Sequence, residues 1–390
     1  MKDFKYPKSF PNKEEELFLK LILSNDNNFE ELYYKWEREV VFNDINYAVL
    51  RLIPLLYLKL KSFNIKSDLI GKIRGMYKMA WYKNQLILDS VKSVIDLFNK
   101  ENIPIILLKG VPLIENVYKD PGARYLGDAD ILVDPQYIKK AIKIMINDGW
   151  KYLDPSPFYV NRFTEPLTRN KIDKEVTLKN HQDVEIDVHW SLFMFLFKEN
   201  REHPMSYSEV FKYSLDCDIK GAKYKMPCIE DMIIHIIVHG AERNSHRTLR
   251  WVADVVNIIK NKSIDWNFLM ERIKKFEVKV EIRIAFIFLS ENFSIPIPKL
   301  FMEELINIPI KNDDIKEYYR RTDTIEKSIM GTFPYLWNRY WLYDCRGNLF
   351  TSWYYFIDYI CQSWGINKKR QIPAFIIEKY KKRINGLFHK

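Results

Sequence analysis

At 390 residues the chain is long enough for two or three domains, and its 47% hydrophobic and 15% aromatic content excludes a disordered protein. Lysine plus arginine exceed aspartate plus glutamate by 61 to 51, a formal charge of +10 that suits an anionic partner and is equally the product of a lysine-rich composition. Cys217, Cys228, Cys345 and Cys361 have no CxxC pairing, so neither a zinc knuckle nor a disulfide framework is indicated; no run reaches the ~20 apolar residues of a membrane span, and the polar start MKDFKYPKSFPNKEEE does not read as a signal peptide, so a reducing cytoplasm is the expected location.

Residues 14 to 98 read as several helices, because EEELFLKLIL, YAVLRLIPLLYLKLKSF and NQLILDSVKSVIDLFNK space their apolar residues near the helical period. IPIILLKG is a short apolar run ending at glycine, which predicts a buried strand feeding a turn, with a helix from Val111 to about Tyr118. After the loop KDPGARYLG, DADILV is the next strand. Asp134 and Pro135 are suited to be the cap and first residue of a helix over QYIKKAIKIMINDGW that Gly149 ends. KEVTL and VEIDVHW predict two more strands joined by the polar turn KNHQD. From about residue 229 the pattern is helical again, most clearly in IEDMIIHIIVHGAE, TLRWVADVVNIIKN and WNFLMERIKKF. The expected fold is α+β: a small mixed β-sheet core between N-terminal and C-terminal helical regions. The expected parts are residues 1–98 (helical), 99–200 (sheet core), 201–310 (helical, completing a cleft) and 311–390 (mostly helical).

The chemistry concentrates on the strands. Side chains alternate along a strand, so Asp128 and Asp130 share one face while Ala129, Ile131 and Val133 share the other. Two carboxylates so close call for a cation, and an oxygen-only ligand set suits Mg²⁺ or Mn²⁺. In DVEIDVHW the acidic face carries Glu185, Asp187 and His189, opposite Val184, Ile186 and Val188. If the two strands are neighbours, Asp187 or Glu185 completes a three-carboxylate cluster able to hold two metal ions for phosphoryl transfer. Gly110, between a strand and a helix, lets backbone N–H groups approach a phosphate, with Lys109 and Arg124 as candidate phosphate contacts.

Gly110 at the strand–helix turn, the Asp128/Asp130 pair and the later acidic strand resemble the DNA polymerase β-type nucleotidyltransferase superfamily. More narrowly, LLKGVPLIENVY…GARYLGDADILV, EIDVHWSL and LRWVADVVNII resemble a bacterial family of uncharacterised nucleotidyltransferase-like proteins, from about residue 15 to 270. The resemblance implies that Asp128, Asp130 and Asp187 bind divalent metal and that Gly110 holds the triphosphate; the IDVHW context favours Asp187 over Glu185. Two departures stand out. Val111 follows Gly110 where the superfamily carries glycine or serine, which removes a hydroxyl, and the interval from Gly110 to Asp128 is longer than in the simplest members.

Two further clusters stand outside that set. Asp231, His235 and His239 recur at i, i+4 on one helix face and either ligate a transition metal or pack as polar side chains. ERNSHRTLRW gathers Arg243, His246, Arg247 and Arg250; Arg247 and Arg250 suit nucleotide phosphates, against the alternative of a solvated basic face. No G-x-S-x-G, Walker A or C-x-x-C constellation is present. The expected activity is Mg²⁺- or Mn²⁺-dependent transfer of a nucleoside monophosphate from an NTP such as ATP to an acceptor that is a small molecule, saccharide, RNA or protein. The alternatives are a catalytically degenerate nucleotide-binding module and a D-x-D sugar-nucleotide glycosyltransferase.

Overall fold

Apolar runs without alternation become strands buried on both faces, and 3.6-period runs become helices around them. The computed structural model describes residues 6–7, 9–23, 28–153, 175–192, 206–241, 249–323, 336–337, 340, 351–364, 366 and 368–378. The fold is α+β. Its strands are β1 (Ile105–Leu108), β2 (Ala129–Val133), β3 (Lys151–Tyr152), β4 (Glu175–Lys179), β5 (Glu185–His189), β6 (Leu215–Ile219) and β7 (Ala222–Met226). Among the described residues they form one mixed sheet in the order β3-β4-β5-β2-β1-β7-β6. No helix among the described residues is long and apolar enough to cross a membrane. The chain divides into two compact units, Met1–Leu132 with Tyr207–Thr324 and Val133–Ser206 with Ile325–Lys390.

In the first unit β1 and β7 run parallel, with Ile106 opposite Lys225, and β6 and β7 form an antiparallel hairpin. That hairpin was not evident in the sequence. It turns through Lys220 and Gly221, both at positive φ, as a two-residue hairpin loop demands, but with lysine in place of the usual asparagine or aspartate. The helix Ile70–Lys100 is 31 residues long and starts well before its NQLILDSV stretch. Its buried stripe comprises Ile73, Ala80, Asn84, Ile87, Leu88, Val91, Val94, Ile95 and Phe98. Asn84 and Ser90 are the polar residues buried along it, Asn84 completely.

Segment 47–63 is two helices, Tyr47–Leu50 and Ile53–Ser62, although its apolar spacing runs on. Pro54 lies in the first turn of the second helix, where its missing N–H costs nothing, and it cannot continue a preceding helix. Arg51 sits at the break. The carboxy-terminal part of this unit is helical, and Ile229–Ala241 packs against Arg250–Asn261, Trp266–Lys275 and Lys279–Asn292.

In the second unit β3, β4 and β5 are antiparallel, with Thr177 opposite Asp187 and Glu175 opposite His189. Val176, Leu178, Ile186 and Val188 are buried, and the polar residues between them lie on the other face. The helix after Pro135 begins only at Ile138. The Asp134 carboxylate accepts the Gln136 backbone N–H at 3.0 Å and closes a turn there, which delays the helix by three residues from its sequence-based start. Gly149, at φ +95°, follows the helix end as expected. A separate aromatic cluster, including Tyr340, Phe356, Tyr359 and Trp364, forms around the helix Ser352–Ser363.

Candidate functional site

The turn after β1 is built under strain. Lys109 has φ 49° and ψ −110°, a conformation that side-chain-bearing residues rarely adopt, and it stands immediately before the short helix Gly110–Leu113. A π-helical turn, Ile114–Tyr118, continues that helix. Gly110 is fully packed. A Cβ there would collide with the Leu126 side chain and stand 2.9 Å from Arg124 Nη1. Val111, the departure from the superfamily pattern, is 1% exposed.

The Lys109 ammonium donates to Asp130 Oδ1 at 2.7 Å, and both side chains are largely buried. The sequence around Asp128 and Asp130 holds no neighbouring cation; tertiary structure supplies one from 21 residues upstream. Asp130 lies on β2, whereas Asp128 precedes the strand and is half-buried. The expectation that both carboxylates belong to the strand therefore holds for Asp130 alone.

Arg124, in the loop before Asp128, is buried and gives Nε and Nη2 to the two carboxylate oxygens of Asp254, each at 2.8 Å. Asp254, on the helix Arg250–Asn261, also accepts the Tyr118 hydroxyl at 2.8 Å. Burial opposes the Arg124 charge, but Asp254 outweighs it and raises the guanidinium pKa further. The loop itself is pinned by Asn84. Its Nδ2 donates to the Pro121 and Arg124 carbonyls at 2.5 and 2.7 Å, and its Oδ1 accepts the Leu126 N–H at 3.0 Å. Lys83 reaches the Tyr125 hydroxyl at 3.1 Å.

Two more guanidinium groups approach this loop. Arg250 donates Nη1 to the Tyr125 carbonyl at 2.8 Å. Arg51 stacks over Tyr47 and Tyr125, 4.6 and 5.4 Å from the ring centroids. Arg51, Asn84 and Asp254 escaped the sequence reading. Asn84 and Asp254 carried a usable signal, since each interrupts an otherwise buried apolar helix face. Arg51 carried none.

In the second unit the Asp187 carboxylate accepts the Thr177 hydroxyl at 2.5 Å across the β4–β5 pair. His189, buried, has Nδ1 3.0 Å from Glu175 Oε2. Glu185 lies opposite Lys179 at the start of β5. The carboxylate of Asp187 and the imidazole of His189 thus share the polar face of the strand, Asp187 bonded to Thr177 and His189 close to Glu175 on β4.

The Asp231/His235/His239 stripe divides. Asp231 is buried and bonds Arg272 through both oxygens, the Nε contact at 2.7 Å, while His235 and His239 stack edge to face at 6.1 Å. Asp231 therefore serves a buried ion pair. Arg243, His246 and Arg247 lie outside the described residues.

The site thus joins a strand–turn–helix with a packed glycine to a carboxylate of the next strand, through the bond from the turn's lysine. No curated protein matches the chain. The family model for an uncharacterised nucleotidyltransferase matches residues 47–294, a span that contains every residue of the site, and the chain belongs to that family.

Proposed function

We propose that the protein transfers a nucleoside monophosphate from an NTP to an acceptor hydroxyl or phosphate, releasing pyrophosphate, with Asp128, Asp130 and Asp187 as ligands of Mg²⁺ or Mn²⁺. The observation that carries the reading is the 2.7 Å bond from Lys109 to Asp130, because it sets the strained glycine turn beside the acidic strand within one family of nucleotidyltransferases. The donor chemistry fits a hard divalent cation, because Asp128, Asp130 and Asp187 all offer carboxylate oxygens. The cation, when bound, supplies charge neutralisation to the entering and leaving oxygens of the transfer.

Every other part falls to the chain's own residues. Gly110 opens the turn to the triphosphate, and Lys109 exchanges its bond with Asp130 for a phosphate oxygen. Arg124, fixed by Asp254, keeps its third nitrogen beside Gly110. Arg247 and Arg250 complete the nucleotide contacts. Asp187, oriented by Thr177, takes the proton of the acceptor. Titration of Mg²⁺-NTP into wild type and into the Asp128→Asn/Asp130→Asn variant tests the reading by calorimetry. Metal-dependent binding lost in the variant supports it; no metal-dependent binding in wild type sinks it.

A second reading, a nucleotide-binding module without transfer, is favoured by Val111. Its buried apolar side chain stands where the superfamily has glycine or serine, so it offers no hydroxyl to a phosphate. Labelled NTP incubated with the protein and a cell extract separates the two, since a binder alone passes no label to any acceptor.

A further inference from the structure

The loop that leads to Asp128 gathers three guanidinium groups. Arg124 is matched by Asp254 through two parallel bonds. Arg250 spends one donor on a neutral acceptor, the Tyr125 carbonyl. Arg51 holds its plane against Tyr47 and Tyr125, and its Nη2 lies 3.0 Å from where a Cβ on Gly127 would stand, so the fork rests against the residue before Asp128. Its Nε is buried and has no hydrogen-bond partner among the described residues. An unpartnered guanidinium donor in a buried position is costly, because it has left water without a replacement acceptor.

The electrostatics agree with that geometry. Burial lowers the Arg250 pKa to about 10, repulsion from Arg124 and then Arg51 adds to the effect, and attraction to Asp254 and Asp128 only partly offsets it. Arg250 is still charged at neutral pH, so the loop carries like charges held together at a cost. An anion between them removes the repulsion. Two guanidinium forks from separate elements, one at the helix break and one opening the helix Arg250–Asn261, present more donors than a single carboxylate can accept. Phosphate oxygens match that geometry.

We propose that Arg51 and Arg250 form a polyphosphate site beside Gly127 and Asp128, which receives the pyrophosphate portion of the nucleoside triphosphate. The assignment to a nucleotide rests on the transferase reading; the anion site itself does not. Tripolyphosphate is titrated, in EDTA and without divalent metal, into full-length wild type and into Arg51→Met, Arg51→Lys, Arg250→Met, Asp128→Asn and the exposed control Arg74→Met. Melting curves check that each variant is folded.

The expected result is binding by wild type that weakens at least tenfold in Arg51→Met and Arg250→Met. Arg51→Lys should give an intermediate loss, because it keeps the charge and loses the fork. Arg74→Met should bind as wild type, and Asp128→Asn more tightly, since a repelling carboxylate is gone. No binding by wild type, or equal binding by a folded Arg51→Met or Arg51→Lys, overturns the proposal. Because the assay contains neither metal nor nucleotide, it can succeed where NMP transfer fails, and the two readings stand or fall separately.

Discussion

Arg124 and Asp254 meet across 130 residues of sequence through two parallel hydrogen bonds of 2.8 Å, both side chains buried. This pair locks the loop that carries the first aspartate to the helix Arg250–Asn261. Removing one partner leaves an uncompensated buried charge, which typically costs about 3–5 kcal/mol, whereas replacing both with apolar residues of similar size costs much less. Denaturant unfolding of Asp254→Asn is therefore expected to show a loss of that order. Arg124→Met/Asp254→Leu should lose less than the sum of its single variants, and full additivity would contradict the account.

Asn84 ties the same loop from the other side with three hydrogen bonds, to Pro121, Arg124 and Leu126. An alanine leaves buried backbone groups unsatisfied, at about 1–3 kcal/mol each before relaxation, so Asn84→Ala should destabilise the protein by about 2–4 kcal/mol. Asn84→Asp should be worse, because its carboxylate faces two carbonyl oxygens in place of an amide donor. An aspartate variant as stable as wild type would refute this assignment of the two amide bonds.

Lys109 combines a strained backbone with an ion pair. Lys109→Ala and Lys109→Gly lose the ammonium equally and differ in the backbone, where only glycine accepts φ 49° and ψ −110° without penalty. The glycine variant is expected to be more stable than the alanine variant by about 1–3 kcal/mol in equilibrium unfolding. Both should lose nucleotide affinity if Lys109 exchanges Asp130 for phosphate. Equal stability of the two would show that the turn relaxes without cost.

Glu209 gives the fold an acid-sensitive contact. Burial raises its pKa, but the bonds from Lys275 (2.6 Å) and Arg272 outweigh that and hold it below the usual 4.5. A carboxylate with a depressed folded pKa contributes stability that is present above the unfolded value and lost as pH falls through the folded one. Unfolding free energy measured from pH 6 down to pH 3 should thus fall less steeply in Glu209→Gln than in wild type. Parallel curves would remove Glu209 from the acid response.

Local pattern carried a great deal of this protein. The apolar run 105–108 ending at a glycine, the helix after it, and the two-residue alternation of Glu185, Asp187 and His189 against Ile186 and Val188 are all fixed by short-range sterics and by burial of one face. Elements whose signal was local but weak were harder to see. The β6–β7 hairpin turns on lysine–glycine, and Asp134 caps a turn where a helix start was expected.

The partners of the charges were decided by tertiary structure. From sequence, Asp128 and Asp130 called for a cation and Lys109 and Arg124 for a phosphate. In the fold Lys109 satisfies Asp130, Asp254 satisfies Arg124, and Arg51 arrives at Gly127 from a helix break far upstream. Strand and helix periods determine which face a side chain lies on, because that depends on its immediate neighbours. Which opposite charge it meets in a buried place depends on how distant elements pack, and desolvation makes that meeting obligatory without naming the partner in advance.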